Sequence, residues 1–422
     1  MSKRAELLSP AGNFEKLKIA FAYGADAVYG GVSHFSLRIR SGKEFTYESF
    51  KEAVDYTHSI GKKIYVTING FPFNAQLSLL EKHILKMAEM KPDAFIIAAP
   101  GVVRLARKLA PQIPIHLSTQ ANVLNYLDAE VFWDLGVRRI VAAREISLKD
   151  VAEIKKHLPD LEIEVFVHGS MCFAYSGRCL ISSVQSGRVP NRGSCANDCR
   201  FPYTLYAANE ESGTLFKIEE DETGTHIMNA KDLNLAAHLD EILASGVVDA
   251  LKIEGRTKSP YYVAATAKAY RAGIDDFYAG QFVREKYEAE LNTTKNRGFS
   301  DGYLIHRPFE KTGDQNLDVS IVEGSHQVYA IVNEDEMSFK AKDKVEPGID
   351  YEVMMPLHVS DIEPCDNEIG TLHVNDGKTV IIFKKIITVK GKELDAVHSG
   401  NVNDIKLPCI LPYLSFFRRS VE

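Results

Sequence analysis

AELLSPAGNFEKLKIAFAYGADAVYGG spans residues 5–31 and contains the pattern that decides the fold. It begins with an apolar run, continues as an amphipathic segment of helical length, and returns through Gly24-Ala25-Asp26 to a second apolar run. A strand, a crossover helix and another strand form the repeating unit of a parallel sheet. Glycine directly after the helical segment is typical of a helix end. The stretch therefore predicts one strand–helix–strand unit.

The same alternation recurs to residue 255, and several returns follow Pro-Asp or Gly-Val pairs. It predicts eight strands, at residues 5–10, 26–31, 63–70, 93–100, 113–119, 138–145, 162–170 and 249–255. Eight such units favour a TIM-barrel-like (β/α)8 fold. The alternative is a doubly wound open sheet, which usually has fewer core strands and a glycine-rich phosphate loop after the first. Residues 9–13, SPAGN, are not such a loop.

Two departures from the repeat divide the chain. An insertion at about residues 171–245 separates the last two strands, and it contains a strand-like run at 225–233. After about residue 315 the helical pattern fades, and runs such as QVYAIV alternate with period two. We therefore predict a TIM-barrel-like catalytic domain over 1–315 and a small all-β barrel domain over 316–422.

Length, composition and net charge limit the kinds of protein that this chain can be. The chain has 422 residues with 45% hydrophobic content, enough for a large core and more than one domain. It has no apolar run of signal-peptide or membrane-span length, so we predict a cytoplasmic protein without a membrane partner. The net charge of −7 disfavours a generally basic surface that coats nucleic acid, although a local basic patch is compatible with it. The sequence leaves the oligomeric state open.

Polar side chains occupy the carboxyl ends of the predicted strands, where TIM barrels build their active sites. They include a histidine, two glutamates, two arginines and two amides: His168, Glu145, Glu254, Arg144, Arg256, Asn69 and Gln120. The arginines suit a small dicarboxylate, because a guanidinium binds a carboxylate through two hydrogen bonds. We predict that His168 or Glu145 moves protons. Alternatively, the glutamates pair with neighbouring arginines and only brace the barrel.

Four of the six cysteines lie within the insertion, with the spacing C-x6-C-x15-C-x3-C: Cys172, Cys179, Cys195 and Cys199. In a reducing compartment such a group indicates metal binding rather than disulfides. Thiolates suit zinc and iron–sulfur clusters alike. Structural zinc usually uses paired C-x2–4-C units, and here only the last two cysteines are so close, so the spacing favours iron–sulfur. Four nearby arginines could offset the thiolates or contact RNA phosphates: Arg178, Arg188, Arg192 and Arg200.

Three segments resemble peptidase family U32. They are ELLSPAGNFEKLKIAFAYGADAVYGG at 6–31, EIEVFVHGSMCFAYSGRCLIS at 162–182 and DALKIEGRTKSPYY at 249–262. The second is similar to the family's signature segment. The resemblance extends over nearly the whole chain, including the β-rich C-terminal part.

The family is named for collagenase-like peptidases, but members that resemble this chain act in oxygen-independent hydroxylation with a 4Fe–4S cluster. The resemblance implies the branch that forms 5-hydroxyuridine at the tRNA wobble position, with prephenate as the source of the hydroxyl. It implies Cys172, Cys179 and Cys195 as cluster ligands and Cys199 as the fourth. Some members place the fourth cysteine in the motif that reads KDLN here, where this chain has Asn234.

Two other functions remain as alternatives. A collagenase-like peptidase is one, although the sequence has no HExxH or GxSxG motif, and a cysteine nucleophile would be lost if it bound metal. A non-enzymatic RNA-binding protein with a structural cluster is the other. The resemblance therefore implies an iron–sulfur-dependent tRNA hydroxylase, with these two functions as the alternatives.

Overall fold

The fold is taken from a computed structural model. It describes residues 4–32, 35–36, 44–172, 174–188, 190, 195–201, 203–213, 215–218, 229–306, 314, 316, 321–357, 359 and 362–421.

The first 170 residues alternate strands with helices. The strands are β1 (Glu6–Pro10), β2 (Ala27–Gly30), β3 (Lys63–Ile68), β4 (Ala94–Ile97), β5 (Ile115–Leu117), β6 (Arg139–Val141) and β7 (Glu162–Ser170). The helices are α1 (Phe14–Ala22), α2 (Tyr47–Ser59), α3 (Leu77–Glu89), α4 (Pro100–Leu109), α5 (Tyr126–Asp134) and α6 (Leu148–His157). Short 3-10 helices cover Asn74–Gln76 and Thr119–Ala121. Each strand pairs in parallel with the next.

The insertion after β7 has elements of its own. They are α7 (Ile181–Ser186), a 3-10 helix (Asp198–Arg200), a hairpin of β8 (Leu205–Ala208) and β9 (Leu215–Ile218), β10 (Asp232–Asn234), a second 3-10 helix (Ala236–His238) and α8 (Leu239–Ala244). Strand β10 pairs antiparallel with the end of β7, with Asn234 opposite His168. The predicted run at 225–233 thus ends in a strand, while its residues 225–228 lie outside the described residues.

Strand β11 (Ala250–Ile253) closes the barrel, because it pairs in parallel with both β1 and β7. Helices α9 (Pro260–Ala279) and α10 (Arg284–Leu291) follow, and then β12 (Phe299–Ser300), which pairs with β10. All eight predicted barrel strands are confirmed, and so is the TIM-barrel-like fold. Among the described residues, no helix is long and apolar enough to cross a membrane.

A buried ionic network fills the barrel at the amino ends of its strands. Arg139 lies 2.6 Å from Glu6, 2.8 Å from Glu162 and 3.3 Å from Glu164. Lys252 lies 2.6 Å from the same Glu164, whose side chain is fully buried. Burial alone would lower the pKa of Arg139, but the Glu164 and Glu6 carboxylates raise it. Above the network the interior is apolar, with Leu8, Ala27, Tyr29, Tyr65, Ala94 and Ile96 in one cluster.

The C-terminal part is an antiparallel half-barrel sheet. Its strands are β13 (His326–Val332), β14 (Ser338–Ala341), β15 (Asp350–Met354), β16 (Cys365–Asp366), β17 (Gly370–Asn375), β18 (Lys378–Phe383), β19 (Ile386–Ile387), β20 (Glu393–Leu394), β21 (Ile405–Lys406) and β22 (Phe416–Ser420). Eight of these form one sheet, in the order β16-β17-β18-β15-β22-β13-β14-β21. This agrees with the predicted all-β domain. The predicted boundary near 315 falls in a stretch described only at 314 and 316.

The half-barrel packs on the outer helices of the barrel. The Tyr23 hydroxyl, at the end of α1, lies 2.9 Å from the Met354 carbonyl and 3.0 Å from that of Leu414. Arg418 in β22 pairs with Glu290 of α10 at 2.5 Å and with Glu352 of β15 at 2.6 Å. These contacts are made with α1 and α10, on the outside of the barrel.

Candidate functional site

A cavity of about 170 Å³ opens at the carboxyl ends of the barrel strands. Its inner wall comes from strand residues such as Ile96, Val141 and Phe166, and its outer wall comes from the cysteine insertion. Nine of the predicted strand-end residues and cysteines line it: Asn69, Gln120, Arg144, Glu254, Arg256, Cys172, Cys179, Cys195 and Cys199. The cavity therefore joins the barrel mouth to the cysteines, as the strand-end argument anticipated.

The four cysteines converge on this cavity from separate pieces of chain. Cys172 follows β7, Cys179 precedes α7, and Cys199 lies in the 3-10 helix after Cys195. The four are not joined by disulfides, and Cys172 and Cys195 are exposed while the other two are half-buried. Burial raises the pKa of the Cys179 thiol, and the nearby Cys172 and Cys195 raise it further. Burial likewise raises the pKa of the Cys199 thiol, and the other three cysteines raise it further. The thiols form one interacting group.

Glu145 holds the first cysteine loop against the barrel. Its carboxylate accepts a hydrogen bond from the Ser176 backbone amide at 2.9 Å and another from the Ser176 hydroxyl at 3.2 Å. Gly177 has φ +73°, and a Cβ there would lie 2.5 Å from the Gln120 carbonyl oxygen. Only glycine fits so close a backbone approach. Glu145 does not line the cavity among the described residues, so its position does not support proton transfer. It braces the cysteine loop through Ser176, whereas the alternative expected pairing with a neighbouring arginine.

Arg144 lies beside the first cysteine. Its Nη1 is 3.8 Å from the Cys172 sulfur, and its guanidinium carbon is 4.4 Å from the centre of the Phe166 ring. The side chain is half-buried and lines the cavity. Stacking on an aromatic face leaves the planar edge of the guanidinium available for hydrogen bonds. The Arg144 guanidinium is thus held between the barrel mouth and the cysteines.

Arg256 is the second cation in the wall, and it lies deeper. It is 6% exposed, and its Nη1 donates to Ser36 Oγ at 2.8 Å and to Thr67 Oγ1 at 3.0 Å. The same nitrogen lies 3.2 Å from Glu44 Oε1. Its buried Nε has no hydrogen-bond partner among the described residues. Buried donors are normally satisfied, so this one marks a place where a ligand could bind.

Amides, a carboxylate and an ammonium complete the wall. Asn69 Nδ2 lies 3.4 Å from both Ser118 Oγ and Gln120 Oε1. The Glu254 carboxylate accepts a hydrogen bond from the Tyr29 hydroxyl at 2.9 Å. Lys252, which sequence reasoning missed, lines the cavity floor. Burial lowers its pKa, and Glu164 opposes that shift. The available signal was alternation in LKIE, because period two puts Lys252 and Glu254 on one face of the strand.

His168 lies outside the cavity. It is 1% exposed and is surrounded by the rings of Tyr262, Tyr270 and Phe299, at centroid distances of 5.5–5.8 Å. The cause is an irregularity in the pairing of β11 with β7, where Lys252 pairs with Phe166 but the next residue pairs with His168. Such a bulge re-aims the side chains beyond it. Proton transfer by His168 stays a prediction that its position does not support.

The buried imidazole of His168 should make stability depend on pH. Burial, aided by Lys258, lowers its pKa to about 3. In the unfolded chain a histidine takes up a proton near pH 6.5. As the pH falls below about 6.5 the unfolded state alone gains this proton, so folding stability falls by up to about 1.4 kcal/mol per unit. We expect His168→Gln to flatten this slope in urea unfolding between pH 7 and 5. The control is His157→Gln, because the His157 side chain is partly exposed. Equal slopes of stability against pH in the two variants would contradict the assignment of this pH dependence to His168.

Asn234 lies in β10, opposite His168. It is buried, and its Oδ1 accepts a hydrogen bond from the Ala236 amide at 3.1 Å. The Tyr270 hydroxyl lies 3.3 Å from the same oxygen. Asn234 is not part of the cavity wall, whereas Cys199 is. Within the described part of the chain, Cys199 is therefore the residue that completes the group of four.

The cysteine insertion carries exposed aromatic and basic side chains, several of them next in sequence to residues that line the cavity. Tyr175 is 62% exposed and Phe201 is 50% exposed. Arg178 and Arg188 are also exposed, and Arg200 lines the cavity. Arg192, the remaining member of the predicted basic strip, lies outside the described residues. The combination is typical of surfaces that bind single-stranded nucleic acid.

The chain is similar in sequence to a known protein family and to several known proteins. The family model described as Peptidase family U32 matches residues 12–314. The chain is 59% identical over 420 residues to "tRNA hydroxylation protein P" of Helicobacter pylori strain J99, covering 99% of both chains. It is 36% identical to the Escherichia coli protein of the same name, covering 89% of this chain and 93% of that one. It is also 30% identical to a "Collagenase" of Porphyromonas gingivalis, covering 71% and 73%.

Proposed function

The chain belongs to peptidase family U32, and on that basis we propose that it hydroxylates tRNA, forming 5-hydroxyuridine at the wobble position. Relatives similar along nearly their full length are named for tRNA hydroxylation. The observation that carries the proposal is the single cavity in which four cysteines adjoin a cationic barrel mouth. Hydroxylation of a uracil ring needs a redox centre, an oxygen donor and access for a base, and this cavity offers a place for each.

We assign Cys172, Cys179, Cys195 and Cys199 as the ligands of one 4Fe–4S cluster. The donor set fits, because four cysteines that are not in disulfides line one cavity and iron–sulfur clusters are held by four cysteine thiolates. Arg144 supports the assignment, since a guanidinium 3.8 Å from the Cys172 sulfur can stabilise anionic thiolate. When bound, the cluster supplies one-electron redox chemistry at the cavity wall.

In this proposal prephenate, a dicarboxylate, transfers its hydroxyl to uracil C5, and no molecular oxygen takes part. The C–O bond of the donor breaks as the C5–O bond forms, the two electrons lost by C5 reduce the donor carbon, and the proton from C5 passes to the donor. Arg144 and Arg256 line one cavity and can each meet one carboxylate. Arg256 is held in place by Ser36, Thr67 and Glu44 before any ligand arrives, which reduces the entropy cost of binding. Asn69 and Gln120 add amide groups for the remaining oxygens of the donor.

Glu254 is the carboxylate placed to accept the proton that leaves uracil C5. It lines the cavity and is oriented by the Tyr29 hydroxyl at 2.9 Å. A general base must lie within hydrogen-bonding reach of the proton it removes, and neither His168 nor Glu145 lines the cavity among the described residues. Glu145 acts instead by positioning the cysteine loop through Ser176.

The tRNA anticodon loop would dock at the mouth. Its bases are unpaired and can stack on Tyr175 and Phe201, while Arg178 and Arg188 contact phosphates. The protein as a whole carries a net charge of −7, so binding depends on this local patch rather than on the overall field. Tyr175 also lines the cavity, so a base stacked on it would lie beside the cluster ligands.

Tyr175→Ala should weaken tRNA binding by about 1–3 kcal/mol, because it removes one stacking surface. The measurement is a titration with unmodified tRNA at fixed salt. Leu127→Ala is the matched control, since Leu127 on α5 is 60% exposed. Equal affinities for both variants would rule out stacking on Tyr175.

The peptidase alternative rests on the relative named "Collagenase". It is disfavoured here because the cavity thiols are grouped as a set of four, which suits metal binding better than a lone nucleophile. The non-enzymatic alternative predicts a cluster without redox activity.

Mass spectrometry of tRNA from a deletion strain tests the proposed function directly. We expect wobble 5-hydroxyuridine to disappear and to return with the wild-type gene. An unchanged nucleoside profile together with cleavage of collagen by the purified, iron-loaded protein would establish the peptidase instead. An unchanged profile without peptidase activity would favour the binding protein.

A further inference from the structure

Two histidines and an aspartate meet outside the cysteine cavity. They are His238, in the 3-10 helix after β10, and Asp301 and His306, in the turn after β12. None of them lines the cavity. The two strands that precede them pair side by side, with Asp232 opposite Phe299 and Leu233 opposite Ser300. The fold thus brings the end of the cysteine insertion together with a segment that follows the barrel.

The spacing of the three side chains is that of metal ligands rather than of hydrogen bonds. His238 Nε2 lies 3.5 Å and His306 Nε2 lies 3.8 Å from Asp301 Oδ2. Protein N–H···O hydrogen bonds are shorter, at about 2.7–3.2 Å. Two ligands bound to one tetrahedral ion at about 2.0–2.1 Å lie roughly 3.4 Å apart. One ligand atom from each of the three residues lies within 4.8 Å of the others.

The surroundings suit a cation that enters from solvent. The side chains of His238 and Asp301 are 21% and 19% exposed, and that of His306 is 42% exposed. Glu241 lies 3.9 Å from Nδ1 of His238, on the opposite side of the ring from Nε2. At this distance the carboxylate does not hydrogen-bond to the ring, but its negative charge favours a cation bound at Nε2. Two imidazoles and one carboxylate, with a position left for water, form a donor set for zinc and similar divalent metals.

We propose that His238, Asp301 and His306 bind one divalent transition-metal ion, separate from the cysteine site, with zinc as the probe. The ion would tie the residues after β10 to the turn after β12. Strand β10 pairs with the end of β7, directly before Cys172. The ion would therefore stabilise the part of the sheet from which the cysteine loop departs.

Metal titration of the full-length, iron-loaded protein, purified without oxygen, tests this proposal. We expect one zinc ion per chain in addition to iron. Cobalt in the same place should show d–d bands without thiolate-to-cobalt charge transfer, because all its ligands are nitrogen or oxygen. His306→Ala and Asp301→Asn should each weaken zinc binding by 100-fold or more and leave the iron content unchanged.

His157→Ala is the matched control. His157 is 36% exposed and lies 3.2 Å from Glu153, so it forms a histidine–carboxylate pair that has no third ligand within the described part of the chain. Its variant should bind zinc as the wild type does. Absence of zinc beyond the iron, unchanged zinc affinity in His306→Ala and Asp301→Asn, or a cobalt–thiolate band would overturn the site. His306 is the most exposed of the three ligands, so its variant keeps the test valid if Asp301→Asn fails to fold.

Discussion

Replacing Cys199 with serine is expected to strip iron from the purified protein and to abolish wobble 5-hydroxyuridine in cells. Cys199 is half-buried, lines the cavity and interacts with the other three thiols. Changes to the partners of metal ligands already lower metal affinity about 10–100-fold, so loss of a ligand itself should cost at least about 100-fold. Iron and acid-labile sulfide per chain, measured after anaerobic purification, give the readout.

Two further variants make this result specific. Cys365→Ser changes a half-buried cysteine in the C-terminal sheet and should keep its iron. Asn234→Ala changes the position where some family members have a cysteine, and it too should keep its iron, because Asn234 does not line the cavity. Full iron occupancy in Cys199→Ser, with or without loss in Asn234→Ala, would mean that the fourth ligand has been assigned to the wrong residue.

The barrel was predictable because its signals are local. Each strand is a short apolar run, and turns such as Gly24 (φ +100°) and Gly136 (φ +93°) use conformations that favour glycine. The helices also begin at recognisable caps, as where the Asn13 side chain accepts from the Lys16 amide. The residues at strand ends then follow from topology alone, since all parallel strands end on the same face.

Sequence reasoning is weakest where the decisive contact is distant in sequence or where the period of a strand breaks. One irregularity in pairing with β11 removes His168 from the cavity, and period-two reasoning from the sequence cannot detect it. Glu145 holds Ser176, 31 residues away, so its bracing role depends on a loop whose path the sequence does not specify. A buried lysine such as Lys252 must be paired with an anion, and its partner Glu164 lies 88 residues away in the sequence.

Arg256 is predicted to bind a carboxylate of the hydroxyl donor, so its replacement should strongly lower hydroxylation. Its Nη1 is held by Ser36, Thr67 and Glu44, and its buried Nε has no partner among the described residues. We expect Arg256→Ala to lower hydroxylation by about 100-fold at limiting prephenate, since loss of a buried charge pair with a ligand costs about 2–5 kcal/mol. Arg256→Lys should rescue only in part, because an ammonium cannot reproduce the two-pronged hydrogen bonding of a guanidinium.

Arg256→Ala also leaves Glu44 buried without its cation, which by itself costs about 3–5 kcal/mol of folding stability. The double variant Glu44→Gln/Arg256→Met separates the two effects, because it removes both charges together. We expect it to unfold in urea at a concentration close to that of the wild type, to keep its iron and to remain inactive. Recovery of hydroxylation along with stability would show that Arg256 only braces the barrel.

Arg144→Ala tests the second predicted contact with the donor carboxylates. Arg144 is half-buried and pairs with no carboxylate in the described structure, so its removal should leave folding stability nearly unchanged. Hydroxylation should nevertheless fall with limiting prephenate and recover partly at high prephenate, since one of two carboxylate contacts is lost. Mass spectrometry of cellular tRNA measures this, with iron content as the control because Nη1 lies 3.8 Å from the Cys172 sulfur. Wild-type levels of 5-hydroxyuridine in both arginine variants would place the donor elsewhere.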